Sequence, residues 1–430
     1  MDAVKIYENY FGKKKDVIIQ MAQHYGQEGK TIALWGAGKK GIGFLKVIDP
    51  DNKIVSCVFD KDLNKIGTIL ETGHIIKDFN KQKVDVIFVA NSTFELEVVH
   101  ILEKINPKTT IVNIDNIILG DLEIGNIFSK KTDIFSKKKN NKICAVVVLY
   151  NPCTSVINNI DSYVHELDKV FIYDNSTKKN LEVIESLSKF SNISIIEKDD
   201  NFGLSVAFNE TSMIAKEQGY TWMITLDQDS VAKSGMVKAM REYVDSNLCD
   251  DNVAIVAPVV NDIDDSKEVQ RNYYTYCEKV IQSGAMHNLN IMHKIGSYDE
   301  NIFIDEVDSE YCVRCIINGY KIIKLNNALL MHNQQDEKVV KKFIEGTIVY
   351  INKFSSDRYY YKYRNALYCY DKYKDMYPLY ALDCQNSIRK IGLQLKYDEN
   401  FKEHDEAVKQ AISDYENGRW GKRKILTKQL

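Results

Sequence analysis

Two successive α/β units, each built on a largely parallel sheet, are what this 430-residue sequence predicts. Apolar runs of strand length alternate with stretches of helical spacing through residues 28–120, and the alternation restarts at residue 143. A polar, lysine-rich stretch separates the two series. The chain also exceeds the size at which one hydrophobic core ordinarily stops growing. The expected division is a first unit at 1–128, a linker at 129–142, a second unit at 143–340 and a helical extension with a basic tail at 341–430.

In the first unit, the strand Thr31-Ile-Ala-Leu-Trp35 runs into Gly36-Ala-Gly38-Lys-Lys-Gly41, followed by helical spacing through Phe44, Leu45 and Ile48. A second strand, Lys53 to Phe59, ends at Asp60. A third, Val84 to Ala90, and a fourth, Thr110 to Ile114, complete the pattern. A G-x-G-x-x-G between strand and helix, with an acid about one strand later, reads as a Rossmann-like nucleotide fold. Gly36, Gly38, Gly41 and Asp60 are the nucleotide-binding candidates. A fold kept for interaction or regulation explains the same residues equally well. Over residues 28–120 the unit resembles the small nucleotide-binding domains attached to bacterial sugar acetyltransferases and sugar C-methyltransferases.

The second unit opens on the continuous apolar strand Ile143 to Tyr150, suited to a sheet covered on both faces. It breaks at Asn151-Pro152. Lys169 to Tyr173 follows, with Asp174-Asn-Ser176 at its tip, then Ile193 to Ile196, Asn201-Phe-Gly203 and a helix from Leu204 to about Gln218. The strand Trp222 to Leu226 delivers Asp227-Gln-Asp229 to its C-terminal end, where open α/β sheets bind ligands. Two carboxylates one residue apart suit a hard divalent cation that also holds a diphosphate. A second acidic cluster, Asp305-Glu-Val-Asp308-Ser-Glu310, follows the short strand Phe303-Ile304 and opens a helix over 307–318. Its acids could instead serve only as caps and dipole partners. Glu310 sits one turn before Arg314, a pairing that makes it structural. Cys312 and Cys315 fall one turn apart without a second pair, which favours packing over zinc.

In this order Val148-Leu-Tyr150-Asn-Pro152, Asp174-Asn-Ser176, Asn201-Phe-Gly203, Asn209, Asp227-Gln-Asp229, Ser283-Gly-Ala285, the Asp305–Glu310 cluster and Met331-His332 resemble the family-2 inverting glycosyltransferases of the GT-A fold. Within that family residues 142–375 are similar to the bacterial rhamnosyltransferase branch, with galactofuranosyltransferases as near relatives. The resemblance implies a nucleotide-sugar donor, dTDP- or UDP-linked and most readily dTDP-L-rhamnose. It further implies a saccharide or lipid-linked glycan acceptor on a bacterial surface polymer and Mn²⁺ or Mg²⁺ as cofactor. Asp308 would be the general base. Asp229 and His332 would hold the metal, Asp227 the ribose or sugar side of the donor, and Asp174 the base. Tyr150, Asn151, Pro152, Asn201, Gly203, Asn209, Gln228, Ser283 and Gly284 complete the implied donor set. His287, Asn288 and His293 read as local polar contacts.

A net charge of −3 gives no reason to expect nucleic-acid binding. No apolar stretch reaches the roughly 18 residues of a membrane span, and Met1-Asp-Ala-Val-Lys-Ile lacks a leader pattern. Nine scattered cysteines fit a reducing cytosol. Residues 338–416 read as helical and rich in tyrosine: either a cap packed on the sheet or a belt at lipid headgroups. Arg364-Asn365 in this stretch resembles a pair common in the rhamnosyltransferase branch. Five basic residues near Trp420 suit a solvated tail or reversible docking on the inner face of the plasma membrane. The competing activity is an NAD(P)-dependent oxidoreductase acting through the first unit, which lacks an evident Tyr-x-x-x-Lys pair.

Overall fold

The computed structural model describes residues 2–90, 101, 109–120, 140–246, 248–260, 274–332, 339–344, 347–352 and 354–424. It divides into one unit of Met1–Thr132 and another of Asp133–Leu430. Apart from residues 140–142, the expected linker lies outside the described residues, as does the tail beyond 424.

The first unit holds four parallel strands, β1 (Ile32–Trp35), β2 (Cys57–Phe59), β3 (Val86–Val89) and β4 (Thr110–Asn113), in the order β2-β1-β3-β4. This doubly wound order puts the switch point between β1 and β3, beside the Gly36–Gly41 turn. β1, β2 and β3 are buried throughout, as their unbroken apolar sequences require.

The second unit is a mixed α/β structure on one large sheet. Its parallel half consists of β5 (Ile143–Leu149), β6 (Lys169–Asp174), β7 (Ile193–Glu197) and β8 (Trp222–Asp227), ordered β8-β5-β6-β7. Register aligns Leu149 with Asp174 and Val148 with Asp227, so three strand ends reach the same edge. On the other side, β12 (Met286–Asn288) runs antiparallel between β8 and β10 (Val253–Val260). β10 then pairs in parallel with the long β13 (Lys321–His332), which ends at the same edge and carries β11 (Tyr274–Tyr276) antiparallel on its other side. The short β9 (Ser230–Ala232) pairs with that end of β13 and places His332 opposite Ser230. Apolar clusters cover both faces of the sheet.

The expectation of helix from residue 338 onward needs correction. β14 (Val339–Ile344) and β15 (Thr347–Asn352) form an antiparallel hairpin first. Val339-Val340 and Thr347-Ile-Val-Tyr-Ile351 are β-branched and aromatic, and that preference prevails. Three helices follow, Ser356–Tyr373, Pro378–Leu395 and Phe401–Glu416. Tyr359, Tyr360, Tyr361, Tyr373 and Tyr380 are buried. The hydroxyls of four of them donate to Asp398, Asp414, Glu310 and Glu306, at 2.6–3.0 Å. These tyrosines form a packed core, as a cap on the sheet requires, while Tyr363, Tyr368 and Tyr370 are part-buried.

The tail is equally occupied through residue 424. Arg364, fully buried, donates to the carbonyls of Gly421 at 2.9 Å and Asn301 at 3.3 Å. The Gly421 N–H returns a bond to the Asn301 carbonyl. Arg419, Lys422 and Arg423 pair with Asp414, Asp200 and Asp357. Arg419, Lys422 and Lys424 are nevertheless exposed, so the tail is ordered and ion-paired through residue 424 while its basic groups still meet solvent. Among the described residues no helix is long and apolar enough to cross a membrane. Cys312 and Cys315 are buried free thiols, packed as expected.

Candidate active site

A cleft of about 980 Å³ opens at the strand-end edge of the second unit. Asp227, Asp229 and His332 meet on its floor, each offering one ligand atom within 4.8 Å of the others. His332 Nδ1 lies 3.3 Å from the Asp229 carboxylate and 3.1 Å from Ser230 Oγ. Ser230 Oγ in turn touches Ser283 Oγ at 2.6 Å, and Ser283 Oγ accepts the Asp227 N–H at 3.1 Å. Burial pushes the Asp227 carboxyl up to about 6 against the pull of His332, with Asp229 adding to the rise. Its hydrogen bond to Asp229 raises the His332 imidazole. Two crowded carboxylates with an imidazole, one of them reluctant to ionise, form a donor set that a divalent cation would relieve. The oxygen-rich mixture suits Mn²⁺ or Mg²⁺.

The second acidic cluster forms another wall of the same cleft. Asp305 and Glu306 both adopt left-handed backbone, with φ of 61° and 63°. Such strain in non-glycine residues costs of order 1–3 kcal/mol each and persists where surroundings enforce it. The enforcement is visible. Asn365 Nδ2 donates to the carbonyls of Ile304 and Asp305, at 2.7 and 3.2 Å. Arg358 and Lys362, one turn apart, hold the Asp305 carboxylate at 2.9 and 3.2 Å. Tyr380 holds Glu306 at 2.7 Å.

Asp308 follows in the first turn of the helix Val307–Ile317. It accepts its neighbour Ser309 N–H at 2.8 Å and the Gln282 N–H at 3.3 Å. Burial raises its carboxyl above the ordinary aspartate range. Glu310 turns away from the cleft, fully buried between Arg314, Lys372 and Tyr373.

Gln282 joins the two acidic groups, although no motif points to it. Its backbone donates to Asp308 while its side-chain amide donates to Asp227. The residue is 7% exposed. Its place directly before Ser283-Gly284 is the signal that pointed nearest. Arg358 and Lys362 were also missed, although their i, i+4 spacing is legible. Lys422 and Arg423 line the cleft from the tail.

Tyr150, Asn201, Gly203, Gln228 and Ser283 line the cleft as well. Gln228 exchanges bonds with the Tyr150 backbone, at 2.9 and 3.3 Å. Gly203 has φ +87°, and a Cβ there would lie 2.6 Å from the Phe303 ring.

Other expected donor residues hold the rim together without facing the cleft. Asp174 is 1% exposed and engaged by Ser176 N–H and Lys179; Asn175 reaches the cleft in its place. Asn209 fastens the Leu204–Glu217 helix to the Tyr298 backbone and Glu300, at 2.8–2.9 Å. Asn151, at φ +45°, accepts the Lys178 N–H, and the Pro152 carbonyl accepts Asn180. Gly284, at φ +84°, lets Leu330 and Pro258 pack closely. His287 is a buried contact of Tyr298 and Thr225, and burial pushes it down to about 3. In the first unit a Cβ on Gly41 would lie 1.9 Å from the Gly36 carbonyl oxygen. There Asp60 accepts the N–H groups of Ala37 and Asp62 and pairs with Lys65. Its carboxylate closes its own glycine turn.

Residues 144–306 match the family model described as Glycosyl transferase family 2. The second unit carries a family-2 glycosyltransferase domain. The match contains Asp227 and Asp229 and ends two residues before Asp308. The chain is 29% identical over 257 residues to dTDP-rhamnosyl transferase RfbF of Shigella flexneri, covering 53% of this chain and 79% of that one. Among solved structures, GalNAc-T7 with UDP, GalNAc and Mn²⁺ aligns at TM-score 0.44 and 12% identity, over 65% of this chain and 58% of that enzyme. S. aureus TarS 1-349 with UDP-GlcNAc aligns at 0.35 and 11%, over 66% and 94%. This chain therefore spans little more than half of the first of these enzymes. The transferase domain places its acidic residues at the sheet edge from its own sequence, independently of those distant alignments.

Proposed function

We propose that the transferase domain catalyses metal-dependent, inverting transfer of L-rhamnose from dTDP-rhamnose to a saccharide acceptor of a bacterial surface glycan. The observation that carries this reading is the bridge through Gln282, which ties the Asp227–Asp229–His332 group to Asp308 across one cleft. The sugar follows the dTDP-rhamnosyl transferase relative.

Asp308 would take the proton of the acceptor hydroxyl as that oxygen attacks the anomeric carbon. A single displacement with one base inverts the configuration, and general-base help of this kind is worth about 10²- to 10⁴-fold. The raised carboxyl makes Asp308 a stronger base than an exposed aspartate. Asp227, Asp229 and His332 would hold the divalent cation, whose chemistry is to neutralise charge on the departing diphosphate. Asn365, Arg358 and Lys362 would keep the strained Asp305–Glu306 turn, and so the base, in place. The free cysteines accord with a cytoplasmic setting.

Purified protein incubated with dTDP- and UDP-sugars, with and without Mn²⁺, tests the proposal. Cation-dependent turnover of dTDP-rhamnose above the other donors is expected. Preference for a UDP-sugar would replace the donor, and cation-independent turnover would remove the metal role.

A further inference from the structure

Outside the cleft, the C-terminal helices and tail form a second, open pocket of about 490 Å³, walled by Tyr368, Tyr415, Trp420, Asp371, Glu416 and Lys372. We propose that this pocket is a saccharide-binding subsite. Three aromatic rings with carboxylates at their edge match a sugar ring, which offers apolar C–H faces and a rim of hydroxyls.

The rings are held ready. Trp420 lies 4.8 Å from Tyr368 and 6.1 Å from Tyr415, centroid to centroid. The Tyr368 hydroxyl donates to Asp299 and the Tyr415 hydroxyl to Asp371, both at 2.7 Å. The backbone on either side of Trp420 is fastened, Arg419 N–H to the Asp414 carbonyl and Gly421 N–H to that of Asn301. Two polar groups of the wall remain open. Neither the Trp420 indole N–H nor the Glu416 carboxylate makes a hydrogen bond or ion pair among the described residues. One donor and one acceptor are thus available to hydroxyls.

A cationic ligand is the rival occupant of an aromatic pocket. The ammonium of Lys372 already occupies that place, 5.5 Å over the Tyr368 ring, but it is paired with Asp299 and Glu310, so choline is carried through the titration as the discriminating probe.

The pocket adjoins the cleft through the chain itself. Lys422, two residues after Trp420, lines the cleft, and two residues span at most about 7 Å. A glycan long enough to pass this segment and reach both would make the pocket an outer acceptor subsite. This role as an outer acceptor subsite rests on the transfer reaction proposed above, whereas saccharide binding itself does not.

The full chain carries three tryptophans. Trp35 and Trp222 are 8% and 4% exposed, leaving half-buried Trp420 as the reporter. With 5-fluorotryptophan incorporated, the Trp420 line is assigned by its absence in Trp420→Phe. Oligosaccharides of rhamnose, galactose and glucose are then titrated without donor to about 10 mM, which fills a 1 mM site about nine-tenths.

Saturable movement of the Trp420 line with at least one oligosaccharide is expected, weakened about tenfold in Glu416→Ala. No movement with any oligosaccharide, movement with choline alone, or an unchanged affinity in Glu416→Ala overturns the proposal. Donor hydrolysis is followed in parallel. Its failure would count against the transferase reading and leave the binding result standing.

Discussion

Replacing Glu310 by Gln separates the structural acid of the second cluster from the proposed base. The Glu310 carboxylate accepts Arg314 at 2.7 and 3.2 Å, Lys372 at 2.8 Å and the Tyr373 hydroxyl at 2.6 Å, with none of it exposed. Glutamine keeps the volume and removes the charge. Lys372 then keeps Asp299, at 2.7 Å, and Arg314 keeps no carboxylate among the described residues. Breaking a buried pair in this way costs about 3–5 kcal/mol. At about 2 °C per kcal/mol for a unit of this size, Tm should fall by roughly 6–10 °C. Arg314 also donates to the carbonyls of Gly296 and Ser297, so the loss spreads into the loop ahead of the acidic cluster. Thermal melts and turnover per folded molecule at low temperature are the assays. Turnover should stay within a few-fold of wild type. An unchanged Tm with turnover lost would assign the chemistry to Glu310 and refute the separation of roles.

Further outcomes follow from the same geometry. Asp308→Asn should leave Tm equal or higher. Burial raises its carboxyl by disfavouring the charged form in the folded state, so at neutral pH that charge opposes folding. A fall of several degrees in the melt would contradict this. For wild type, kcat/KM should decline with acid along a limb above the usual aspartate value of about 3.9; a limb at or below it would count against Asp308. Gln282→Ala removes a charge-assisted bond worth about 1.5–3 kcal/mol. It should weaken Mn²⁺ binding and lower kcat/KM about ten- to hundredfold, and isothermal titration with wild-type Mn²⁺ affinity would sink the bridging role. Gly203→Ala meets both a left-handed backbone and the Phe303 ring. It should lower Tm and the yield of folded protein, and an unaltered melt would refute the close approach.

What could be read from the sequence divides along physical lines. β5 and β8 are continuous apolar runs ending in polar residues, so both strand positions and the Asp227–Asp229 site were legible. Helical spacing placed Asp308 in a first turn and paired Arg314 with Glu310, while the choice of Asp308 as base came only with the family resemblance. Asp174 and Asn209, which the family resemblance set against the donor, do not line the cleft, and a motif match does not say which way one side chain turns. Asp174 points inward to Lys179, and Asn209 spends its amide on Tyr298 and Glu300. Gln282 stands alone in a loop, and its two partners lie 55 and 26 residues away. No local pattern encodes such a bridge. The pairing of the basic tail was hidden for a related reason: Asp414 lies one turn before Arg419, but Asp200 and Asp357 reach Lys422 and Arg423 from distant segments.

The most direct test of the central claim is the anomeric configuration of the transferred sugar, followed by NMR during turnover by wild type and by Asp308→Asn. The account predicts an inverted product, formed only with a divalent cation, and a loss of about 10²-fold or more in the variant. Retained configuration, or inverted product from Asp308→Asn at near wild-type rate, would contradict it.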